Sequence, residues 1–213
     1  MRKETLLKLA IVAVAIVVLP WLFLTTLEDT IAEPYEIDGA MFTGWTLVLE
    51  DPARPGIAVL GLRAPPTLVS ALFDQLFNRT MASMTSPGED ILPLVLRTEV
   101  RGELGAVLSP EEMLEAAKGA GLDRVRLDPV CMAVKRQPFD GRTREFFFVL
   151  FDVPEVLAYR RDLAGVAAER GVTGAFASPG FEVVLPIAGS DAGFASWWPL
   201  TVDRETDCQA PLR

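Results

Sequence analysis

Histidine is absent from this chain of 213 residues. Its absence excludes Ser-His-Asp and Cys-His catalytic groups, zinc held by imidazole and the usual ligation of haem. The sequence also lacks a Gly-rich phosphate loop, an EF-hand loop and the GxSxG elbow of hydrolases. We therefore expect neither a metal ion nor a cofactor.

Cysteine is scarce: Cys131 and Cys208 lie far apart and outside any CxxC pattern. In an oxidising compartment they would form a disulfide that ties the C-terminal tail to the strand around residue 130. Closing so long a loop stabilises a fold by roughly 4 kcal/mol. The alternative is two unrelated thiols, one in a strand and one on a loose tail. Two positions in a sequence do not decide between these.

Basic residues are outnumbered, with 20 Lys and Arg against 29 Asp and Glu and a net charge of −9. So acidic a chain lacks the basic footprint that nucleic acid and anionic lipid surfaces require. Runs of like charge and low-complexity tracts are also missing, so no long disordered arm is expected. We therefore exclude nucleic acid as a partner and do not expect the domain to lie flat on lipid.

One long apolar run contrasts with this composition. Residues 9–27 contain no ionisable side chain, and as a helix they would span about 28 Å, close to the hydrocarbon core of a bilayer. The run predicts a transmembrane helix in which Pro20 bends the axis and Trp21 suits the interface. The residues assigned to this membrane anchor are Ile11, Val14, Val18, Pro20 and Trp21.

A cleaved signal peptide is the rival interpretation, because it shares the basic start and the apolar core. The run is longer than the usual apolar region of about 7–15 residues. The stretch TTLEDTIAEP after it offers no small-x-small cleavage site. Both features favour a retained anchor.

The charges on either side of the run predict its orientation. Arg2, Lys3 and Lys8 precede the run, whereas several acids follow it and the first basic residue beyond it is Arg54. The positive-inside rule places residues 1–8 in the cytoplasm and the main domain outside it. In a bacterium this would be a periplasmic domain on the inner membrane, next to lipid and to other integral subunits.

The rest of the chain divides into a linker over 28–42, one domain over 43–190 and a C-terminal loop and tail over 191–213. Hydrophobic periodicity in the domain gives strand, strand, helix three times over and then a last strand. One of these strands is assigned to residues 102–108, GELGAVL. The order predicts an α+β domain with a mainly antiparallel sheet and about three helices on one face.

Local signals mark several element boundaries. Ser109 and Glu112 have the spacing of a capping box at a helix start. Asp140 and Gly141 suit the turn of a hairpin. Asp152 is predicted to cap the helix that follows it.

Aromatic residues point towards binding more than towards catalysis. Three consecutive rings at 146–148 would show on both faces of a strand, as in a central strand covered on both sides. A second cluster lies in a Gly/Ser-rich segment, where it either folds back as a lid on the core or meets a partner or the membrane surface. This candidate interface consists of Phe194, Trp197 and Trp198.

Two catalytic alternatives survive the absence of histidine. A Ser-Lys dyad would need Lys118 or Lys135, but a lysine at the end of a helix or strand usually faces water. Paired carboxylates are the other route, although several of the acids belong in helix caps and first turns. The acids in question are Glu89, Asp90, Glu99, Glu103, Glu111, Glu112, Asp152 and Glu155.

Three functional hypotheses follow. The first is a non-catalytic accessory subunit of a membrane complex, held by one helix and docked by its outer domain. Respiratory and photosynthetic complexes contain subunits of this layout. The second is a free-standing, membrane-anchored periplasmic binding or assembly factor, and the third is a carboxylate-based hydrolase. The lack of a catalytic motif favours the first.

Overall fold

The structure is a computed structural model. The residues it describes are 12, 14–22, 32–50, 56–88, 90–102, 104–174, 176 and 180–213. Over these residues the fold is α+β and its sheets are antiparallel, as the sequence predicts.

The strands form two separate sheets where the sequence predicts one. A three-stranded sheet has the order β1-β2-β3, and a four-stranded sheet has the order β6-β5-β4-β7. All the strand pairs are antiparallel. The strands are Thr46–Leu49 (β1), Ala58–Arg63 (β2), Ile91–Leu96 (β3), Asp128–Phe139 (β4), Arg142–Asp152 (β5), Val183–Gly189 (β6) and Cys208–Ala210 (β7).

The two sheets meet where each carries a proline in its edge strand. Pro93 lies in β3 and Pro186 in β6, and both line the crevice between the sheets. Proline has no N–H to donate to a ladder, which confines it to edge strands. Beside the crevice, the backbones of Thr85 and Gly189 exchange hydrogen bonds of 2.8 and 2.9 Å. The prolines therefore mark the boundary between the sheets.

About six helices are present, counting the helical residues 14–22, rather than three. The additional ones in the domain have four or five residues, too few to show the helical period in the sequence. The labelled α-helices are Pro66–Thr80 (α1), Arg97–Arg101 (α2), Pro110–Gly119 (α3), Pro154–Glu169 (α4) and Arg204–Asp207 (α5). Short 3₁₀ turns occupy Gly39–Phe42, Leu104–Ala106, Leu122–Arg124 and Phe194–Trp197.

Two local predictions are confirmed. The Ser109 hydroxyl accepts from the Glu112 N–H at 3.2 Å, and the Glu112 carboxylate accepts from the Ser109 N–H at 2.8 Å, which completes the capping box of α3. Asp140 and Gly141 form the β4–β5 turn with φ of 50° and 74°. Both angles are left-handed, as a two-residue hairpin turn requires.

Two other local predictions are wrong. The described residues among 102–108 form no strand, because β3 is followed by α2 and then by the turn Leu104–Ala106. Asp152 is the last residue of β5, paired with Asp128, and the helix N-cap is Val153. Strand pairing extends one residue further than the helix signal suggests, so the Asp152 carboxylate lies 3.9 Å from Arg204 and not at the helix end.

The core has a layer on each face of the four-stranded sheet. Phe147 and Val149 of β5 pack with residues of α1, α3 and α4 in the larger layer. Phe146 and Phe148 point to the other face, which residues 194–208 cover. The sequence-based prediction of a central strand covered on both faces is confirmed.

The predicted membrane helix over 9–27 is described only in part. Residues 12 and 14–22 are helical, whereas Ile11 lies outside the described residues. The remaining anchor residues, Val14, Val18, Pro20 and Trp21, are exposed. No helix within the described residues is long and apolar enough to span a membrane.

Candidate interaction site

The segment after the apolar run is built into the edge of the four-stranded sheet. The Tyr35 N–H donates to the carbonyl of Pro211 at 2.9 Å, and the Arg213 N–H donates to the carbonyl of Tyr35 at 2.8 Å. The Ile37 N–H then donates to Arg213 at 2.7 Å. Since residues 211–213 directly follow β7, this parallel pairing extends the sheet by one further short segment.

Helix α1 holds the same segment from the other side through Gln75. Its side-chain oxygen accepts from the Glu36 N–H at 2.9 Å, and its amide nitrogen donates to the Glu36 carbonyl at 2.7 Å. One side chain therefore satisfies both backbone groups of Glu36, as a neighbouring strand would. The carboxamide fixes the position of the segment relative to α1.

Arg79, one turn further along α1, completes the contact. Its guanidinium donates to the carbonyls of Glu33 and Pro34 and lies over the Tyr35 ring, 3.9 Å from the centroid. Tyr35 is only 1% exposed. Burial raises the pKa of its phenol, and the opposing effect of the Arg79 cation is smaller. The ring therefore stays neutral beneath the cation. We call residues 33–37, with Gln75 and Arg79, the linker clamp.

The C-terminal strand to which the clamp is attached is itself fixed to β4. Cys131 and Cys208 form a disulfide with their Cα atoms 5.7 Å apart, within the usual range. The Lys135 ammonium lies 2.8 Å from the Asp207 carboxylate, which also accepts from the Asp203 N–H. Of the two alternatives for the cysteines, the structure has the disulfide.

The aromatic cluster of the C-terminal segment folds back on the sheet. The Trp197 indole stacks on Phe146 at 5.4 Å and 20°, and Phe194 meets the same ring edge-on at 6.1 Å. Arg144 covers the outer face of Trp197 at 4.4 Å. Phe194 and Trp197 are buried, so they act as a lid on the core, while Trp198 is half-buried. Of the candidate interface, only Trp198 is partly exposed, and its indole nitrogen is buried as well.

Replacing Trp197 by alanine should lower the free energy of unfolding by about 3–5 kcal/mol, because the stacked indole would leave a cavity over Phe146. The matched control is Trp198→Ala, which should cost less because that side chain is less completely buried. Urea titrations of the full chain in mild detergent, followed by circular dichroism, measure both. Equal losses for the two variants would contradict the lid assignment.

A buried ion pair joins several elements elsewhere in the domain. Arg160 of α4 is 4% exposed, and its guanidinium binds the Glu99 carboxylate at 2.5 and 3.2 Å and the Leu94 carbonyl at 2.8 Å. Phe181 and Phe176 stack on its faces at 3.6 and 4.2 Å. Arg160 thus connects α4 with α2, β3 and the segment that leads to β6.

Neither lysine of the proposed dyad lies in a catalytic arrangement. Lys118 is about half exposed and pairs with Glu115 at 2.8 Å, whereas Lys135 pairs with Asp207. Over the part of the chain that the structure describes, no group of three or more Cys, Asp or Glu side chains is placed to hold a metal ion. These lysines act as ion-pair partners.

The carboxylates considered for catalysis have structural partners in several cases. Glu99 binds Arg160, and Glu112 caps α3 while pairing with Arg170 at 2.8 Å. The hydrogen bond from the Ser109 N–H, with Arg170, lowers the pKa of Glu112, whereas burial raises that of Asp90. Glu111 and Glu155 lie in first helical turns; Glu89 and Glu103 lie outside the described residues.

Two of the cavities in the described part of the domain bear on the hydrolase alternative. The crevice between the sheets has a volume of about 200 Å³, less than a typical small-molecule site. A hollow of about 390 Å³ beside the β4–β5 turn is lined by Arg142, Arg144 and Asp191, among others. The Arg144 guanidinium is engaged there by Ser196 and Gln137 at 2.8 and 2.9 Å. Neither lining brings two carboxylates together.

The chain has no significant match among protein-family models, curated proteins or solved structures. Its function is therefore inferred from its own residues.

The linker clamp has no signal in the sequence that periodicity could detect. Gln75 and Arg79 occupy the polar side of α1, where such residues normally contact water. Tyr35 is one of two aromatic residues, with Phe42, in the acidic linker over 28–42. Only its isolation among Glu33, Pro34 and Glu36 distinguishes it, and that pattern is too common to predict burial.

Proposed function

We propose that this protein is a non-catalytic accessory subunit of a bacterial membrane protein complex. The apolar run over 9–27 anchors it in the inner membrane, and the domain docks on the outer side. The run itself is the support for the anchor, and the charges around it are the support for the orientation.

The linker clamp is the observation that carries the docking role. A helix that only confines a protein to the membrane can be joined to its domain by a flexible linker. Here the predicted span ends at residue 27 and the clamp begins at Glu33. Six steps of extended chain reach about 20 Å at most. The domain would therefore sit close to the membrane with α1 nearest its attachment, as docking on a neighbouring integral subunit requires.

The ionisable groups support a structural role over the hydrolase alternative. The least exposed acids of the ion pairs, Glu50, Glu99 and Asp207, bind Arg97, Arg160 and Lys135 respectively. A catalytic carboxylate pair needs side chains that converge on a substrate-sized cavity. The described cavities supply no such pair.

Isolation from native membranes in mild detergent tests this proposal. The protein should be recovered in stoichiometric amounts with other integral subunits. Replacing both Gln75 and Arg79 by alanine should reduce that recovery severalfold, because the domain would no longer be held against its attachment. Arg161→Ala changes an exposed arginine of α4 and serves as the matched control.

Two results would count against it. A lone monomer recovered from native membranes would refute the accessory-subunit function. Unchanged recovery of the clamp variant, with its linker shown to be newly cleaved by protease near residue 35, would show that the clamp takes no part in docking.

A further inference from the structure

The C-terminal end of α1, beside the linker clamp, exposes two large apolar side chains. Phe77 is 42% exposed and Met81 is 75% exposed. The Met81 N–H donates to the Phe77 carbonyl at 2.8 Å, so the two residues sit one turn apart. Arg79, which holds Glu33 and Pro34, lies between them in the sequence. The exposed pair therefore lies at the same end of α1 as the clamp, and Phe77 points to the other side of the helix.

Met81 is an unusual residue for its backbone position. It is the C-cap of α1, with φ of 50° and ψ of 22°, a left-handed conformation that favours glycine or asparagine there. With three-quarters of its surface exposed, the side chain gains little from the core. Neither backbone preference nor packing within the domain accounts for a methionine here. Methionine is typical of adaptable apolar contacts.

The segments around Met81 are uncharged, although Asp74 and Arg79 of α1 lie nearby. Residues 80–88, TMASMTSPG, contain no ionisable side chain, and neither do residues 39–48. The turn Gly39–Phe42 contacts α1. Residues 1–8 hold three of the 20 basic residues and one of the 29 acidic residues. The rest of the chain therefore has 17 basic and 28 acidic residues and a net charge of −11. An acidic domain is repelled by anionic lipid. The uncharged segments at the end of α1 would therefore meet the least electrostatic repulsion at a membrane surface.

Chain length brings this end within reach of the bilayer. Residue 27 is the predicted end of the span, and Glu33 is held by Arg79. The intervening chain covers about 20 Å at most, while the polar headgroup layer on each side of a bilayer is about 5–8 Å thick. Other exposed apolar side chains, such as Phe139 at the β4–β5 turn, lack such a link to the anchor.

We propose that the end of α1 rests in the headgroup layer of the bilayer, with Phe77 and Met81 inserted and residues 80–88 lying along it. We call this surface the α1-end patch. The inference deepens the proposed function and rests on it for the anchor. The lipid contact would fix the height and tilt of the domain, so that its remaining surface meets the neighbouring subunit in one orientation.

Site-specific fluorescence on the purified full chain in nanodiscs of phosphatidylcholine and phosphatidylglycerol tests the patch. The only cysteines are joined in the disulfide, so Met81→Cys gives one free thiol for an environment-sensitive dye. Phe139→Cys is the matched control. It is another exposed apolar position, 53% exposed, at the far end of β4 from its pairing with β7. Phe77→Cys and Leu157→Cys form a second matched pair, each 42% exposed.

Dye at positions 77 and 81 should emit at shorter wavelength than dye at 157 and 139, and brominated lipid should quench most of its intensity. Equal, water-like emission at 81 and 139 would overturn the inference. A blue shift without quenching by brominated lipid would also overturn it, because the patch would then be covered by protein.

Extraction of the membranes with alkaline carbonate separates this inference from the proposed function. Release of the chain into the soluble fraction would refute the anchor and, with it, the lipid contact. Retention in the membrane together with water-like emission at position 81 would refute the lipid contact alone.

Discussion

Replacing both Cys131 and Cys208 by alanine is expected to lower the free energy of unfolding by about 4 kcal/mol, because the disulfide closes a long loop in the unfolded chain. The separation between the two residues is 77 positions. Cys131 is 5% exposed, so alanine is a better replacement than serine, whose buried hydroxyl would need a partner. Urea titration in mild detergent, with the intact protein and the double variant side by side, gives the difference.

Reduction of the intact protein is the control for this prediction. Treatment with a thiol reductant should shift its urea midpoint towards that of the variant and leave the variant unchanged. Equal midpoints before and after reduction would contradict the stabilising role. Loss of the disulfide should also expose the linker near Tyr35 to protease, because residues 211–213 hold it and follow the disulfide-bonded β7.

Replacing Arg160 by methionine should destabilise the domain by about 3–5 kcal/mol, because the Glu99 carboxylate would lose its partner in a poorly solvated site. The side chains are 5% and 16% exposed. The added replacement Glu99→Gln removes the unpaired charge and should recover part of the loss, which a double-mutant cycle measures.

An exposed ion pair provides the matched control. Arg126 pairs with Asp128 at 2.8 Å, but the side chains are 89% and 63% exposed. Because such a pair is screened by water, Arg126→Met should change stability by less than about 1 kcal/mol. Similar losses from Arg126→Met and Arg160→Met would contradict the claim that burial decides the effect.

Signals confined to a few neighbouring residues led to correct predictions. The capping box of Ser109 and Glu112 and the turn at Asp140 and Gly141 depend on contacts over three residues or fewer. The run at 146–148 was also assigned correctly, since consecutive rings must face both sides of any strand. The prediction of a strand over residues 102–108 is wrong, because a short apolar stretch fits a turn as well as a strand.

The sheet boundary and the linker clamp could not be predicted in this way. Pro93 and Pro186 mark a sheet boundary only because β3 and β6 are edge strands that lie next to each other in the fold. Gln75 contacts Glu36 across 39 positions, and Arg79 contacts Glu33 across 46. Side chains at such separations meet only after the sheets and helices have packed, so no local pattern records them.

By itself the sequence determined which chemistry is excluded and where an apolar run long enough for a membrane lies, because these follow from composition and from the order of residues. Only the tertiary structure decided that Trp197 is a lid on the core and not an exposed contact. It also decided that the linker is clamped between α1 and residues 211–213. Both outcomes depend on which distant segments pack together, and packing is set by the whole fold.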